Sequence, residues 1–218
     1  MPSRHRSTAR AALLLAPLAL AGCGSALSDA TALGSDPRPA PYTGTIALTS
    51  EPPGARCVLT NTASGNQVAA VTTPATITLP RGTAIIEATC TASGSMPTTA
   101  SIRPVRDFAS NVFHPQPVGT GIAQNAAVVA SGATRRYSDT VVHLPPQPFA
   151  SAAVRDAWFA ERAEQTRQAA APAIARAQRV PGATIDTPET LNRYLQEDLA
   201  RLDAQKAQAT IAPPLASR

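Results

Sequence analysis

Between Gly44 and Arg103 the chain is divided into short runs of Thr, Ile, Val and Ala by clusters of Pro and Gly, and this punctuation limits the fold more than any other feature. Breaks at roughly 8 to 12 residue intervals leave room for strands but not for helices, and they predict an all-β sandwich. The spacing predicts strands at about 44–50, 56–61, 67–72, 75–79, 83–92 and 97–103. Turns fall at Glu51-Pro52-Pro53-Gly54, Ser64-Gly65-Asn66, Pro80-Arg81-Gly82 and Ser93-Gly94-Ser95, which supply the fixed or positive φ values that tight reversals need.

In a strand, residues i and i+2 share a face. Ala55, Cys57 and Leu59 therefore share one face, and Ala84, Ile86, Ala88 and Cys90 share another. Each cysteine sits on the apolar face of its strand. Two inward cysteines on neighbouring or facing strands can reach the Cα separation of about 5.5 Å that a disulfide requires. Closing a loop of about 33 residues would contribute on the order of 3 to 4 kcal/mol, a large term for a core poor in Leu and Phe. The alternative is a pair of buried free thiols. Zinc is disfavoured, because no CxxC spacing exists and no His lies near either cysteine in sequence.

The third cysteine has a different setting. Arg4, Arg6 and Arg10 precede an apolar run, Ala11 to Ala21, which is interrupted only by Pro17 and ends in Leu20-Ala21-Gly22-Cys23. Eleven residues are too few to span a bilayer, which takes roughly 20 in a helix. This stretch resembles bacterial lipoprotein signals. The resemblance implies a diacylglyceride on Cys23 and removal of residues 1–22; ordinary signal cleavage after Ala19-Leu20-Ala21 is the competitor. Cysteine parity favours the lipid, since acylation of Cys23 leaves Cys57 and Cys90 as a pair. An acylated chain of this kind is expected to have the membrane as its first partner.

Charge argues against nucleic acid. Three of the 19 basic residues lie in the signal, which leaves 16 against 14 acidic groups, a formal charge of +2. With one Trp, three Tyr and four Phe, the chain offers no basic face interleaved with stacking aromatics.

Outside the sandwich, residues 23–43 are small and polar, with Pro37, Pro39 and Pro41, and read as a flexible, disordered tether. Residues 105–149 contain a small-residue segment (Gly119, Gly121, Ala123, Ala126, Ala127, Ala130 and Gly132 around Ile122, Val128 and Val129), either a short helix packed on the sheet or a membrane-touching hairpin. A strand at Thr140–Leu144 follows, ending at Pro145-Pro146. Residues 150–208 turn helical: Ser151 caps a helix expected to reach about Ala170, where Pro172 breaks or kinks it, with Val154 and Trp158 as its anchoring turn. A second helix starts at Asp186-Thr187-Pro188-Glu189. Leu191, Tyr194, Leu195, Leu199 and Leu202 form its apolar stripe, to be buried against the first helix, the sheet or another protein; Leu191, Leu195, Leu199 and Leu202 are the candidate partner surface. Residues 209–218 read as a disordered tail. The predicted class is α+β: a small antiparallel β-sandwich followed by a C-terminal helical hairpin.

Ser50-Glu51-Pro52-Pro53-Gly54-Ala55, then Thr72-Thr73-Pro74-Ala75-Thr76-Ile77-Thr78-Leu79, then Arg81-Gly82 and a strand ending at Cys90 together resemble the PEGA-type β-sandwich repeat. The match covers residues 44–104 and departs from the family pattern at Gly94, which is followed by Ser95 where the family often has Tyr. The resemblance implies a surface or envelope module without catalytic residues.

No convergent reactive set is apparent. His114 and His143 lie in unlike contexts, HxH, HExxH and Gly-x-Ser-x-Gly patterns are missing, and the adjacent Glu197 and Asp198 diverge by about 100° on a helix. Gly119-x-Gly121 lacks the third glycine of a dinucleotide site. The expectation is a non-enzymatic, lipid-anchored structural or protein-interaction module without cofactor or metal. Gly24 after the acylated cysteine favours the outer membrane, facing the periplasm. The second reading is a glycan-binding envelope module, for which Phe108, Phe113 and Tyr137 are the clustered aromatic candidates.

Overall fold

The computed structural model describes residues 24–115, 121–180 and 186–213. Cys23, the signal at 1–22, Gly119 and the tail beyond Pro213 lie outside the described residues.

The protein is α+β. Strands β1 (Thr45–Glu51), β2 (Arg56–Asn61), β3 (Gln67–Thr72), β4 (Ala75–Thr78), β5 (Ile86–Thr91) and β6 (Thr98–Ile102) follow the expected punctuation. Short strands β7 (Val105–Arg106) and β8 (Arg135–Arg136) pair with each other, and β9 (Thr140–His143) closes the strand series. Two sheets, ordered β4-β1-β9 and β3-β2-β5-β6, enclose one core. Ile46 and Leu48 of β1, Leu59 of β2, Ile77 of β4, Ile86 and Ala88 of β5 and Val142 of β9 are all buried within it. Cys57 and Cys90 face each other across the β2–β5 ladder and form a disulfide with 4.0 Å between Cα atoms, so the bridge joins neighbouring strands of one sheet.

Not every pairing is antiparallel. β9 runs parallel to β1, because 88 positions separate Glu51 from Asp139 and the chain has length to cross over and return in the same direction. The sandwich is therefore not confined to residues 44–104; Tyr137, Val142 and Leu144 belong to its core.

The stretch expected to be a tether is folded. Residues Gly24–Leu33 form α1, with Asp29, Ala32 and Leu33 buried. Gly34, at φ +60°, ends it, and the Arg179 guanidinium donates to the terminal carbonyls of Ala32 and Leu33 at 3.2 and 2.9 Å. Asp29 is paired with Arg106 of β7. Residues distant in sequence hold this helix: Arg106 and Arg179 by polar contacts, Phe108 and Val180 by packing on Ala32 and Leu33.

Helix α2 (Ile122–Ala130) is the small-residue segment, and none of its residues is buried. It is a helix without being packed closely on the sheet. The turn after it is tight: a Cβ on Gly132, at φ +78°, would lie 2.4 Å from the Gly82 carbonyl carbon.

Helix α3 (Ala152–Arg179) starts at the expected cap, with Ser151 Oγ accepting from Val154 N, but continues unbroken past Pro172. Proline there removes one backbone hydrogen bond. The turns beyond it are retained because Arg176 and Arg179 reach Asp36 and the end of α1. Its anchor is also different from expectation: Val154 is exposed, whereas Phe159 is buried and Trp158 packs edge-on against it and Phe149. Helix α4 (Pro188–Gln208) begins at Thr187, whose hydroxyl accepts from Thr190 N, and packs along α3. Residues 209–213 are not a free tail, since Phe149 N donates to Thr210 O and Ala212 N to Phe149 O.

Candidate functional site

β6 and β9 are the outermost strands of their sheets, and the two edges come together on one side of the sandwich. Exposed edges invite uncontrolled strand pairing, and a common remedy is to cover them. Here the α3–α4 hairpin lies across both edges and leaves a cleft of about 640 Å³ between.

Polar contacts fasten the hairpin at the margins. Arg103, just beyond β6, donates to both carboxylate oxygens of Asp198 at 2.7 and 2.9 Å and to Glu197 at 3.3 Å, while its guanidinium stacks 4.5 Å from the Tyr194 ring centroid. Burial works against the Arg103 charge, but the hydrogen bond and charge of Asp198 outweigh it and raise the pKa above its ordinary value. Arg201 donates to the Thr99 carbonyl and Ser101 hydroxyl, both at 3.1 Å, and Gln205 donates to the Pro97 carbonyl at 3.2 Å and the Thr98 hydroxyl at 2.7 Å. Side chains of α4 thus take up the hydrogen-bonding capacity of the β6 edge. On the α3 side, His143 Nδ1 lies 2.8 Å from both Glu51 Oε2 and Arg162 Nη1. One ring nitrogen can donate to the carboxylate or accept from the guanidinium, not both.

Between these margins the walls are apolar. Leu191, Leu195 and Leu202 line the cleft with Tyr194, opposite Ala100 and Val141; Leu199 is half-buried and outside the lining. Three of the four stripe leucines therefore turn toward the protein's own sheet and hairpin. Glu197 and Asp198, unsuited to act together on a substrate, serve jointly as acceptors for one guanidinium.

The aromatic residues expected to cluster form no shared exposed surface. Phe108 and Tyr137 are buried, the Tyr137 hydroxyl donating to the Ala84 carbonyl at 2.7 Å, whereas Phe113 stands 67 % exposed. Aromatic surface in the cleft comes instead from Trp158 and Tyr194, each with an arginine over its ring.

A second polar cluster, with no signal in the sequence, lies away from the cleft. Asp107 is fully buried 2.6 Å from Arg81, its Oδ1 accepts from Ala109 N, and its carbonyl accepts from His114 Nε2 at 2.6 Å. Next to it, the Arg106–Asp29 pair is buried on both sides. Burial, and then the Arg106 charge, push the His114 pKa below its ordinary value. Among the described residues no group of three or more His, Cys, Asp or Glu is placed to hold a metal, and no helix is long and apolar enough to cross a membrane.

No family model, curated protein or solved structure matches the chain. The cleft beneath the α3–α4 hairpin is the candidate functional site. Its hydrogen-bonding groups are largely committed to one another, and what remains for a ligand is shape and apolar surface.

Proposed function

We propose that this chain is a bacterial envelope lipoprotein, acylated at Cys23 after loss of residues 1–22 and facing the periplasm from the outer membrane. It works without catalysis, as a structural or protein-interaction module built on a PEGA-like sandwich. The lipobox at Leu20-Ala21-Gly22-Cys23 supports the address, and the disulfide suits an oxidising compartment. The observation that carries the role is the cleft: apolar walls between ion-paired margins favour an apolar polypeptide segment as occupant.

The test has two parts. Intact-mass measurement of the protein from cells should show the hydrocarbon mass of a diacylglyceryl and an acyl chain at Cys23. A photoreactive residue at Val141, which lines the cleft and is 48 % exposed, should form an adduct with a polypeptide in intact cells, and Leu195→Asp should abolish it. An absence of adducts at this position overturns the interaction role. Trp158 and Tyr194 in the lining favour a second reading, a glycan-binding module, which adducts with glycan strands would support.

A further inference from the structure

With α1 folded and docked, a bilayer holding Cys23 has little separation from the body. Ten residues of helix rise only about 15 Å. The docking is firm, since Asp29 is paired with Arg106 and the far end of α1 is held by Arg179. Two other features are attached at the same place. The Asp107 N–H donates to the Thr134 carbonyl, just past the end of α2, at 3.0 Å, and the Asp107 carbonyl accepts from His114, the neighbour of Phe113. α1, the Phe113 loop and the exit from α2 thus meet at the consecutive residues Arg106 and Asp107.

Both of those features present apolar side chains to solvent. Phe113 is 67 % exposed, and Ile122 and Val128 of α2 are 54 % and 41 % exposed. Single exposed apolar residues need no explanation. A nine-residue helix with neither a charged side chain nor a buried one is different, because a helix this short is marginal in water unless one face is packed.

We propose that Phe113 and α2 form a second membrane contact, entering the boundary between headgroups and acyl chains beside the anchor and fixing the orientation of the body on the bilayer. This rests on the reading that Cys23 is acylated. A lipid surface is the occupant that the short, docked α1 brings to this end of the molecule. With no charge on α2, the contact is apolar and does not depend on salt.

The test uses the full mature protein from cells, in vesicles of phosphatidylethanolamine and phosphatidylglycerol, with Ile122→Trp in a Trp158→Phe background. The indole introduced at position 122 should shift its emission to the blue on vesicles and be quenched several-fold by lipids brominated on their acyl chains. Val154→Trp in the same background is the control. Val154 is exposed but lies 22 residues of α3 from Arg176, about 33 Å along the helix, and should stay unquenched. Val128→Trp gives a second probe should the first variant fold poorly. Emission of a water-exposed indole from both probes on vesicle-bound protein overturns the contact and leaves the anchor intact. A blue shift that grows with protein concentration without vesicles also overturns it, in favour of a second copy on this face. Quenching in a protein whose mass shows no acyl group would preserve the contact and remove the anchor.

Discussion

Arg103 and Asp198, 95 positions apart, form a two-pronged ion pair that ties α4 to the end of β6. Arg103 has only 13 % of its side chain exposed, and it also holds Glu197 and stacks on Tyr194. Arg103 therefore joins Arg201 and Gln205 in holding α4 over the β6 edge, one margin of the cleft.

Arg103→Ala should destabilise the protein by about 2 to 3 kcal/mol, because it leaves the partly buried Asp198 without its donors. Arg103→Lys should recover only part of this, since an ammonium cannot make the paired contact. Urea midpoints of the three proteins provide the measurement, with the order wild type, Lys, Ala expected. Equal midpoints for Lys and wild type would show that charge alone matters.

Reduction of Cys57–Cys90 should lower stability by roughly 3 kcal/mol, as the unfolded chain regains the freedom of a 33-residue loop. For a chain of this size that is a fall of about 6 to 12 °C in the melting midpoint. Thermal unfolding with and without reductant reads it directly. The double variant Cys57→Ala/Cys90→Ala should melt near the reduced protein and be indifferent to reductant.

His114 predicts a loss of stability in mild acid. Burial, followed by the Arg106 charge, lowers its pKa in the fold, opposed by the Asp107 carbonyl and the carboxylates of Asp29 and Asp107. The unfolded chain, with an ordinary histidine pKa near 6.5, then binds more protons than the folded one below that pH. Stability is therefore complete above about pH 6.5 and declines as pH falls toward the lowered pKa of the folded state. Urea midpoints at pH 7.5 and 5.5 should differ more for the wild type than for His114→Gln. An equal decline in both would place its cause elsewhere.

The parts of the fold that are legible in the sequence are those governed by neighbours. Alternation on β2 and β5 places Cys57 and Cys90 inward, and the caps at Ser151 and Thr187 stand at the helix starts they specify. What could not be read depends on long separations: α1 is held by partners 77 and 147 positions away, and the turns of α3 beyond Pro172 by Asp36. The parallel return of β9 has the same character, since alternation gives a strand its faces and not its neighbour. The leucine stripe was visible as a stripe, but the cleft it lines requires both β6 and β9 to end as edges beneath it.

The Asp29–Arg106 pair separates the stability of α1 from that of the sandwich. Both side chains are nearly inaccessible, so Asp29→Ala removes the carboxylate facing a buried guanidinium, and breaking a buried ion pair commonly costs about 3 to 5 kcal/mol. Among the described side chains, however, the sandwich core contains none from α1; Ala32 and Leu33 pack instead with Phe108 and Val180. The favoured escape is release of α1, which returns Arg106 to water and limits the loss to the local docking energy. Amide exchange should therefore accelerate in residues 29–36 of the Asp29→Ala variant, while β2 and β5 keep wild-type protection. Uniform acceleration across the sheet would mean that α1 is integral to the core. Unchanged exchange in 29–36 would mean that Arg179 and the Phe108 contact hold the helix without the ion pair.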